Sequence, residues 1–197
     1  MPVSSREQQP FRSGAGRLCL DFIRTLRYRG QPRAEEELAS PESLARWVAQ
    51  FGRYPGSSLR PAPAQVSAAR ALREAVHQVI TAARAASAAP AAARRTVNEA
   101  AAQPVPVPRL HPSGQVSYEA DDPVAAVLAL VARDCLELLG SPDLARIHAC
   151  ADPDCRVLFV DHSRPGTRRW CSMGTCGNRA KKAVQRTNGT RVSPGSS

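Results

Sequence analysis

Four of the six cysteines lie near the C-terminus as two equally spaced pairs, Cys150 with Cys155 and Cys171 with Cys176. Each pair encloses four residues, and 15 residues separate the two pairs. Four thiolates bind Zn²⁺ tetrahedrally and leave no coordination position open for water or a substrate. The spacing therefore predicts one structural zinc ion, which would supply much of the folding free energy of so small a module. A redox pair or a disulfide framework is the alternative.

Positive charge is concentrated around these cysteines. Residues 146–197 contain ten Lys or Arg and three Asp, a net charge of +7, whereas the first 145 residues contribute only +3 to the total of +10. A near-neutral domain joined to a basic metal module is typical of proteins whose module meets a polyanion. The alternative is a solvated basic face without a partner.

The basic side chains of this segment are predicted to form two surfaces. One surface lies on a turn-rich stretch before Cys171, and the other follows one face of a helix that can enter the DNA major groove or track phosphates. The candidate nucleic-acid contacts are Arg164, Arg168, Arg169, Asn178, Arg179, Lys181, Lys182 and Arg186. Six phosphate contacts would give a log–log salt slope of about −5. Arg179 is the candidate for bidentate contact with guanine; alternatively, Asn178 and Arg179 bond groups inside the module and hold its shape.

Two stretches resemble known families. Residues 176–179, CGNR, preceded by RRWC at 168–171, resemble the CGNR zinc finger, which usually follows an ABATE domain. Members of that family are described as stress-related transcription regulators. Residues 18–25, LCLDFIRT, resemble the start of ABATE domains, with Arg24 where the family usually has Asn. Asp21, a carboxylate between apolar neighbours, and Arg24 are therefore candidates for a ligand pocket; an ordinary carboxylate paired with a nearby Arg is the alternative.

The elements that must position these residues are mainly helical. Apolar residues at helical spacing predict helices over 16–26, 41–52, 63–87, 91–103 and 121–140. A Pro-Ser-Gly turn at 112–114 predicts a β-hairpin, the only β structure expected in the N-terminal domain. Cys19 and Cys135 fall on apolar stripes, so we expect core residues there rather than ligands. The predicted fold class is mainly α: a helical N-terminal domain with a small β-hairpin, followed by a treble-clef-like four-cysteine zinc module.

The zinc module is expected to contain a strand at 156–160, with residues 168–171 returning antiparallel to it. A helix from Gly177 would place Cys176 near the positive end of the helix dipole. His162 is a poorer substitute ligand than the four thiolates. The predicted organisation is a loose leader (1–15), a helical ABATE-like domain (16–145), a CGNR zinc finger module (146–189) and a disordered tail (190–197).

These features predict a zinc-dependent, DNA-binding transcriptional regulator whose helical domain senses a small-molecule effector or forms a homodimer. An RNA- or protein-binding zinc module is the alternative. We do not expect an enzyme, because no nucleophile elbow, P-loop, dinucleotide fingerprint or H-E-x-x-H motif occurs and a closed thiolate site has no catalytic vacancy. The absence of a long apolar run and of a signal peptide predicts a cytoplasmic protein that does not enter the membrane.

Overall fold

The computed structural model describes residues 10–52 and 59–189, the last four of these for their backbone alone. The predicted tail (190–197) and residues 1–9 lie outside the described residues. The α-helices are α1 (Leu18–Ile23), α2 (Pro41–Gly52), α3 (Pro63–Arg84), α4 (Ala91–Ala101), α5 (Pro123–Leu139) and α6 (Asn178–Gly189). The strands are β1 (Leu26–Arg27), β2 (Glu35–Glu36), β3 (Val107–Leu110), β4 (Val116–Glu119), β5 (Ile147–Ala149) and β6 (Leu158–Val160). A 3-10 turn spans Pro142–Arg146, and a π-helical turn spans Met173–Gly177.

Helix α5 is the centre of the N-terminal domain, where it packs against α1, α2, α3 and α4. Asp122 caps its first turn by accepting two backbone N–H hydrogen bonds at 3.0 Å. The apolar stripe predicted for this helix is buried: Val124 and Leu128 are 4% and 8% exposed, and the rest of the stripe is fully buried, namely Val127, Val131, Cys135 and Leu138. Neither α5 nor any other helix in the described part of the chain has the length and apolar character needed to cross a membrane.

Helix α2 adds the aromatic part of this core. Ser40 and Ser43 exchange hydrogen bonds at its N-terminus, each side-chain oxygen accepting from the other residue's backbone N–H. The Trp47 ring lies 4.8 Å from the Phe22 ring of α1 and 4.9 Å from the Phe51 ring. Contacts of this kind contribute about 0.5–1.5 kcal/mol beyond burial of area. The tryptophan is therefore a core residue, as its helical spacing predicts.

The prediction of a single hairpin in this domain is wrong, because β1 and β2 form a second two-stranded sheet after α1. The strand β2 is acidic, and an ion pair rather than an apolar stripe attaches it to α3. Arg73, only 3% exposed, binds both carboxylate oxygens of Glu36 at 2.6 and 2.7 Å and also contacts Glu74 at 2.9 Å. The β propensity of residues 28–39 is too low to predict such a strand.

The start of the chain is partly bound, although residues 1–15 are predicted to be loose. Ala15 is fully buried, and its carbonyl accepts a 2.8 Å hydrogen bond from Val160 of β6. At Gly16 the backbone has φ +94°, and a Cβ atom there would lie 3.1 Å from Val160 Cβ. Glycine is thus required where the zinc module meets the helical domain. This contact joins residues 15 and 160, which are too far apart in the sequence for a local pattern to predict it.

Candidate zinc and nucleic-acid site

The four predicted ligands converge on one point. The Sγ atoms of Cys150, Cys155, Cys171 and Cys176 all lie within 4.8 Å of one another. The Cys155–Cys171 and Cys171–Cys176 sulfur separations are 3.6 and 3.8 Å. Tetrahedral coordination with Zn–S bonds of about 2.3 Å places sulfurs about 3.8 Å apart, whereas a disulfide requires about 2.05 Å. The four free thiols therefore form a single structural zinc site, and the disulfide alternative does not apply.

The first cysteine pair is positioned by a short antiparallel sheet. Strand β6 pairs with β5, with Ile147 opposite Val160, so the prediction that residues 168–171 pair with this strand is wrong. Those residues instead lie beside the turn between Cys150 and Cys155 (the first knuckle), where the Arg169 carbonyl accepts a 2.8 Å hydrogen bond from the Ala151 N–H. Strand β5 directly follows the 3-10 turn and pairs with β6 in the place where residues 168–171 were expected.

Asp152 organises the turn between Cys150 and Cys155. Its carbonyl accepts the Cys155 N–H at 2.9 Å, and its Oδ1 accepts the Asp154 N–H at 3.0 Å. Arg156 then has φ +49°, a left-handed conformation that reverses the chain toward β6. The turn holds the Cys155 sulfur beside the others.

The second pair lies at the start of α6. The Cys171 N–H points at the Cys150 sulfur at 3.4 Å, which links the two pairs directly. Ser172 caps the π-helical turn by accepting the Thr175 N–H at 3.3 Å. Cys176 is buried in that turn, two residues before Asn178, the first residue of α6. The predicted location of this thiolate at a helix N-terminus is confirmed.

Proximity shifts the thiol pKa values in opposite directions. A hydrogen bond from the Cys171 thiol lowers the pKa of Cys155 to about 5, and the same hydrogen bond, with burial, raises the pKa of Cys171. Burial and neighbouring thiolate charge raise the pKa of Cys176 to about 12. Without a cation, then, the cluster holds one negative charge readily and resists more. A divalent cation reverses this preference because it binds thiolates.

Three of the predicted nucleic-acid contacts form bonds inside the module. Arg168 donates to the carbonyls of Trp170, at 2.9 Å, and Cys171, while its guanidinium lies 4.7 Å from the centre of the Phe159 ring. Asn178 donates to the Gly174 carbonyl at 3.1 Å. Arg179 forms a 2.9 Å ion pair with Asp152. These side chains fix the module's shape.

Four of the other predicted contacts face solvent. Helix α6 packs principally on the π-helical turn and has no buried residue among its described side chains. The exposed cations are Arg164, Arg169, Lys181 and Lys182. Arg169 also stacks its guanidinium 5.1 Å from the centre of the Trp170 ring. Arg186 belongs to α6, but its side chain lies outside the described residues.

Two buried carboxylates of the zinc module were not predicted from the sequence. Asp152 is 7% exposed and Asp161 is fully buried. Hydrogen bonds from Ser163 and the Arg168 backbone lower the pKa of Asp161 to about 2 and close the loop between the cysteine pairs. The sequence does contain one indication of their role: acidic residues are rare in this basic module, so each of them can be expected to have a basic partner.

The two candidate pocket residues are brought together as an ion pair. The Asp21 carboxylate accepts backbone N–H hydrogen bonds from Gly14 at 3.1 Å and Ala15 at 2.9 Å, and it pairs with the Arg24 guanidinium at 3.1 Å. The carboxylate thus secures the segment before α1. Arg24 also donates to the Ser13 carbonyl and lines a cavity at the edge of the zinc module.

The helical domain also contacts the first knuckle through its β1–β2 loop. Arg33 pairs with Asp154 at 2.6 Å, and Gln31 donates to the Pro153 carbonyl at 3.2 Å. Arg84 at the end of α3 donates to the Ile147 carbonyl at 3.2 Å. The metal module therefore rests against the helices at several points.

Comparison with known families agrees with this division of the chain. Residues 16–142 match the ABATE family, described as "Putative stress-induced transcription regulator". Residues 146–188 match the CGNR zinc finger family. No curated protein matches the chain. Since the first match covers more than half of the sequence, the protein belongs to the ABATE family, and its residues 146–188 form a CGNR zinc finger.

Proposed function

We propose that this protein is a zinc-dependent transcriptional regulator that contacts duplex DNA through its zinc module. Zinc fixes the knuckle and the start of α6, and the exposed cations of the loop and helix face the phosphate backbone. The helical domain provides ligand sensing or dimerisation. Both matched families are regulator or zinc finger types, which supports a non-enzymatic role.

The observation that carries this proposal is the sorting of the module's cations into two groups. The side chains of Arg168 and Arg179 are half-buried against other groups of the module, whereas those of Arg164, Arg169, Lys181 and Lys182 are exposed. A helix with little packing and exposed lysines can enter a major groove or follow the backbone. Four phosphate contacts give a log–log salt slope of about −3.6, smaller than the value of about −5 expected for six.

Fluorescence anisotropy with labelled duplex DNA tests the proposal. The zinc-loaded protein should bind with this salt slope, and a chelator should abolish binding. The variant Lys181→Gln should reduce the slope by about 0.9 because one phosphate contact is lost. Arg95→Gln, the same charge change at an exposed position of α4, is the matched control and should leave the slope unchanged. Metal-independent binding, or none at low salt, contradicts the proposal.

A protein- or RNA-binding module is the second candidate. Met173 and Val184 are 52% and 59% exposed on the zinc module, and exposed apolar side chains suit a protein partner. Competition between single-stranded RNA and duplex DNA separates the nucleic acids, and a preference for RNA would favour this candidate. Reduced thiols also suit a cytoplasmic location, which we include in the proposal.

A further inference from the structure

The β3–β4 hairpin is poorly covered by the rest of the helical domain. Its two strands form a sheet of their own, with Leu110 opposite Val116 and Pro108 opposite Tyr118. No residue of either strand is buried. Because a two-stranded hairpin on its own is only marginally stable in water, these strands would gain stability from a partner that packs against them.

The two faces of the hairpin differ in chemistry. Side chains alternate between faces along a strand, and residues directly opposite each other share a face. One face therefore carries the four residues of these two pairs, all of them apolar or aromatic. The other face carries Arg109 and Glu119, which pair with each other at 3.0 Å. The charges of the polar face thus have partners within the hairpin itself.

The helical core covers the apolar face at its base and leaves its tip uncovered. Tyr118 is half-buried and packs against the core. Nearer the turn, Leu110 is 76% exposed and Val116 is 56% exposed. Single apolar residues scattered over a surface are ordinary. These two oppose each other directly and continue the apolar face, so they form one patch.

The charge of the hairpin indicates what would cover this patch. The whole chain carries a net charge of +10, of which residues 146–197 carry +7. Residues 104–120 contain only one Arg and one Glu among their Lys, Arg, Asp and Glu positions, so their net charge is zero. Because salt screens charges beyond about 8 Å, a second copy that approaches through the hairpin meets no excess of like charge. A two-fold axis also matches the patch to itself, as in most soluble oligomers.

We propose that the apolar face of this hairpin is a homodimer interface, in which Leu110 and Val116 of one copy pack against the same two residues of a second copy. This interface identifies the dimerisation surface of the proposed regulator and rests on that proposed function only for its consequence on DNA. There, a dimer would present two zinc modules to two half-sites, and the first contact would raise the effective concentration for the second.

The size of the hairpin sets the expected strength. A standard interface uses about 20–30 residues from each partner, and the hairpin offers fewer. The dimer should therefore be weak, with a Kd on the order of 10 µM. Its population then depends on the concentration of the protein.

Sedimentation equilibrium of the zinc-loaded full chain, without DNA, measures this association. Between about one tenth and about ten times that Kd, the average mass should rise from 21.1 kDa toward twice that value. Leu110→Lys should weaken the association at least about 10-fold, because the two-fold axis brings two like charges together in an apolar contact. Leu136→Lys is the matched control, the same change at a 40% exposed leucine of α5, about 20 Å from the end of α5 that follows the hairpin. It should associate like the parent protein.

Two further comparisons separate the interface from the folding of the hairpin. Val116→Lys should dissociate the dimer, whereas Val107→Lys, at a 50% exposed position on the opposite face, should not. Leu110→Lys and Leu110→Glu, each monomeric alone, should associate when they are mixed, because position 110 of each copy faces that of the other. A purely structural role of Leu110 predicts no such recovery.

The interface is overturned if the parent protein keeps a mass of 21.1 kDa throughout, or if Leu110→Lys associates like Leu136→Lys. It is also overturned if Val107→Lys dissociates like Val116→Lys, or if the mixed variants stay monomeric. A dimeric parent protein that does not bind DNA would overturn the proposed function alone, and a monomer that binds DNA would overturn the interface alone.

Discussion

The ion pair between Arg179 and Asp152 separates two roles for Arg179, direct contact with DNA and positioning of α6. The variant Asp152→Asn removes the charge of the partner and leaves Arg179 itself intact. The Asn side chain can still accept the Asp154 N–H, now at 3.0 Å, so the knuckle turn is retained. Electrostatics alone predicts tighter DNA binding, because the net charge of the module rises. A positioning role predicts the opposite.

The magnitude follows from exposure. A hydrogen bond to a charged group contributes about 1.5–3 kcal/mol when shielded, and an exposed ion pair about 0.2–1 kcal/mol. The Asp152 side chain is 7% exposed and that of Arg179 is 41% exposed. We therefore expect about 1 kcal/mol, between these limits, which corresponds to a factor of about 5 in an equilibrium constant.

Anisotropy with zinc-loaded protein measures this factor. Asp152→Asn should weaken duplex DNA binding by up to about 5-fold, and the salt slope should stay the same because no phosphate contact is lost. Asp154→Asn is the matched control: it makes the same charge change in the same turn, on a side chain that pairs with Arg33 instead. The control should bind DNA as well as the parent protein, or slightly better.

One outcome refutes the reasoning. If Asp152→Asn and Asp154→Asn bind DNA equally well, while Arg179→Ala alone changes the base preference, then Arg179 reads DNA directly. A double-mutant cycle on the free energy of unfolding gives the coupling independently. A coupling near zero would show that the pair does not hold α6.

Three further outcomes are expected. Replacing Cys176 by Ser should abolish duplex binding and lower the midpoint of thermal unfolding of the module, since the zinc site loses a ligand; unchanged anisotropy and circular dichroism would contradict this. Zinc uptake at neutral pH should release at least two protons, because the pKa values of Cys171 and Cys176 are raised, so zinc affinity should rise with pH; calorimetry in buffers of different ionisation enthalpy counts the protons. Glu36→Gln should cost about 2–3 kcal/mol in urea unfolding, because it leaves buried Arg73 without its bidentate partner. Burial opposes ionisation of Glu36, but the hydrogen bond and charge of Arg73 lower the pKa of Glu36 overall. The stability difference between the parent protein and Glu36→Gln should therefore be lost as the pH falls below the ordinary glutamate pKa. As a control, Glu37→Gln should cost little.

The helical elements and the metal ligands could be predicted because their signals are local. Apolar residues at helical spacing predicted α2 and α5, and two equal cysteine spacings predicted the zinc site. Each of these features depends on residues a few positions apart. Burial of Cys19 and Cys135 followed from the same periodicity.

The features that the sequence did not predict depend on distant partners. The strand β6 pairs with β5 and not with residues 168–171, a choice set by the chain that precedes the knuckle. The sheet of β1 and β2 depends on Arg73, almost forty residues away. For Arg179 the sequence left two roles open, DNA contact and a bond inside the module, because the choice depends on Asp152 on the other side of the metal site. In a helix with several basic residues, the sequence does not show which of them faces inward.

The hydrogen bond from Val160 to Ala15 has a consequence for how the protein matures. During synthesis Ala15 emerges first, and the strand that receives it emerges only after most of the chain has been made. The second cysteine pair follows later still, so metal uptake is a late step of folding. A chain without zinc would leave the C-terminal module unattached and Ala15 without this bond, and loose segments are preferred sites of proteolysis. We therefore expect zinc supply to govern how much of the protein survives in the cell.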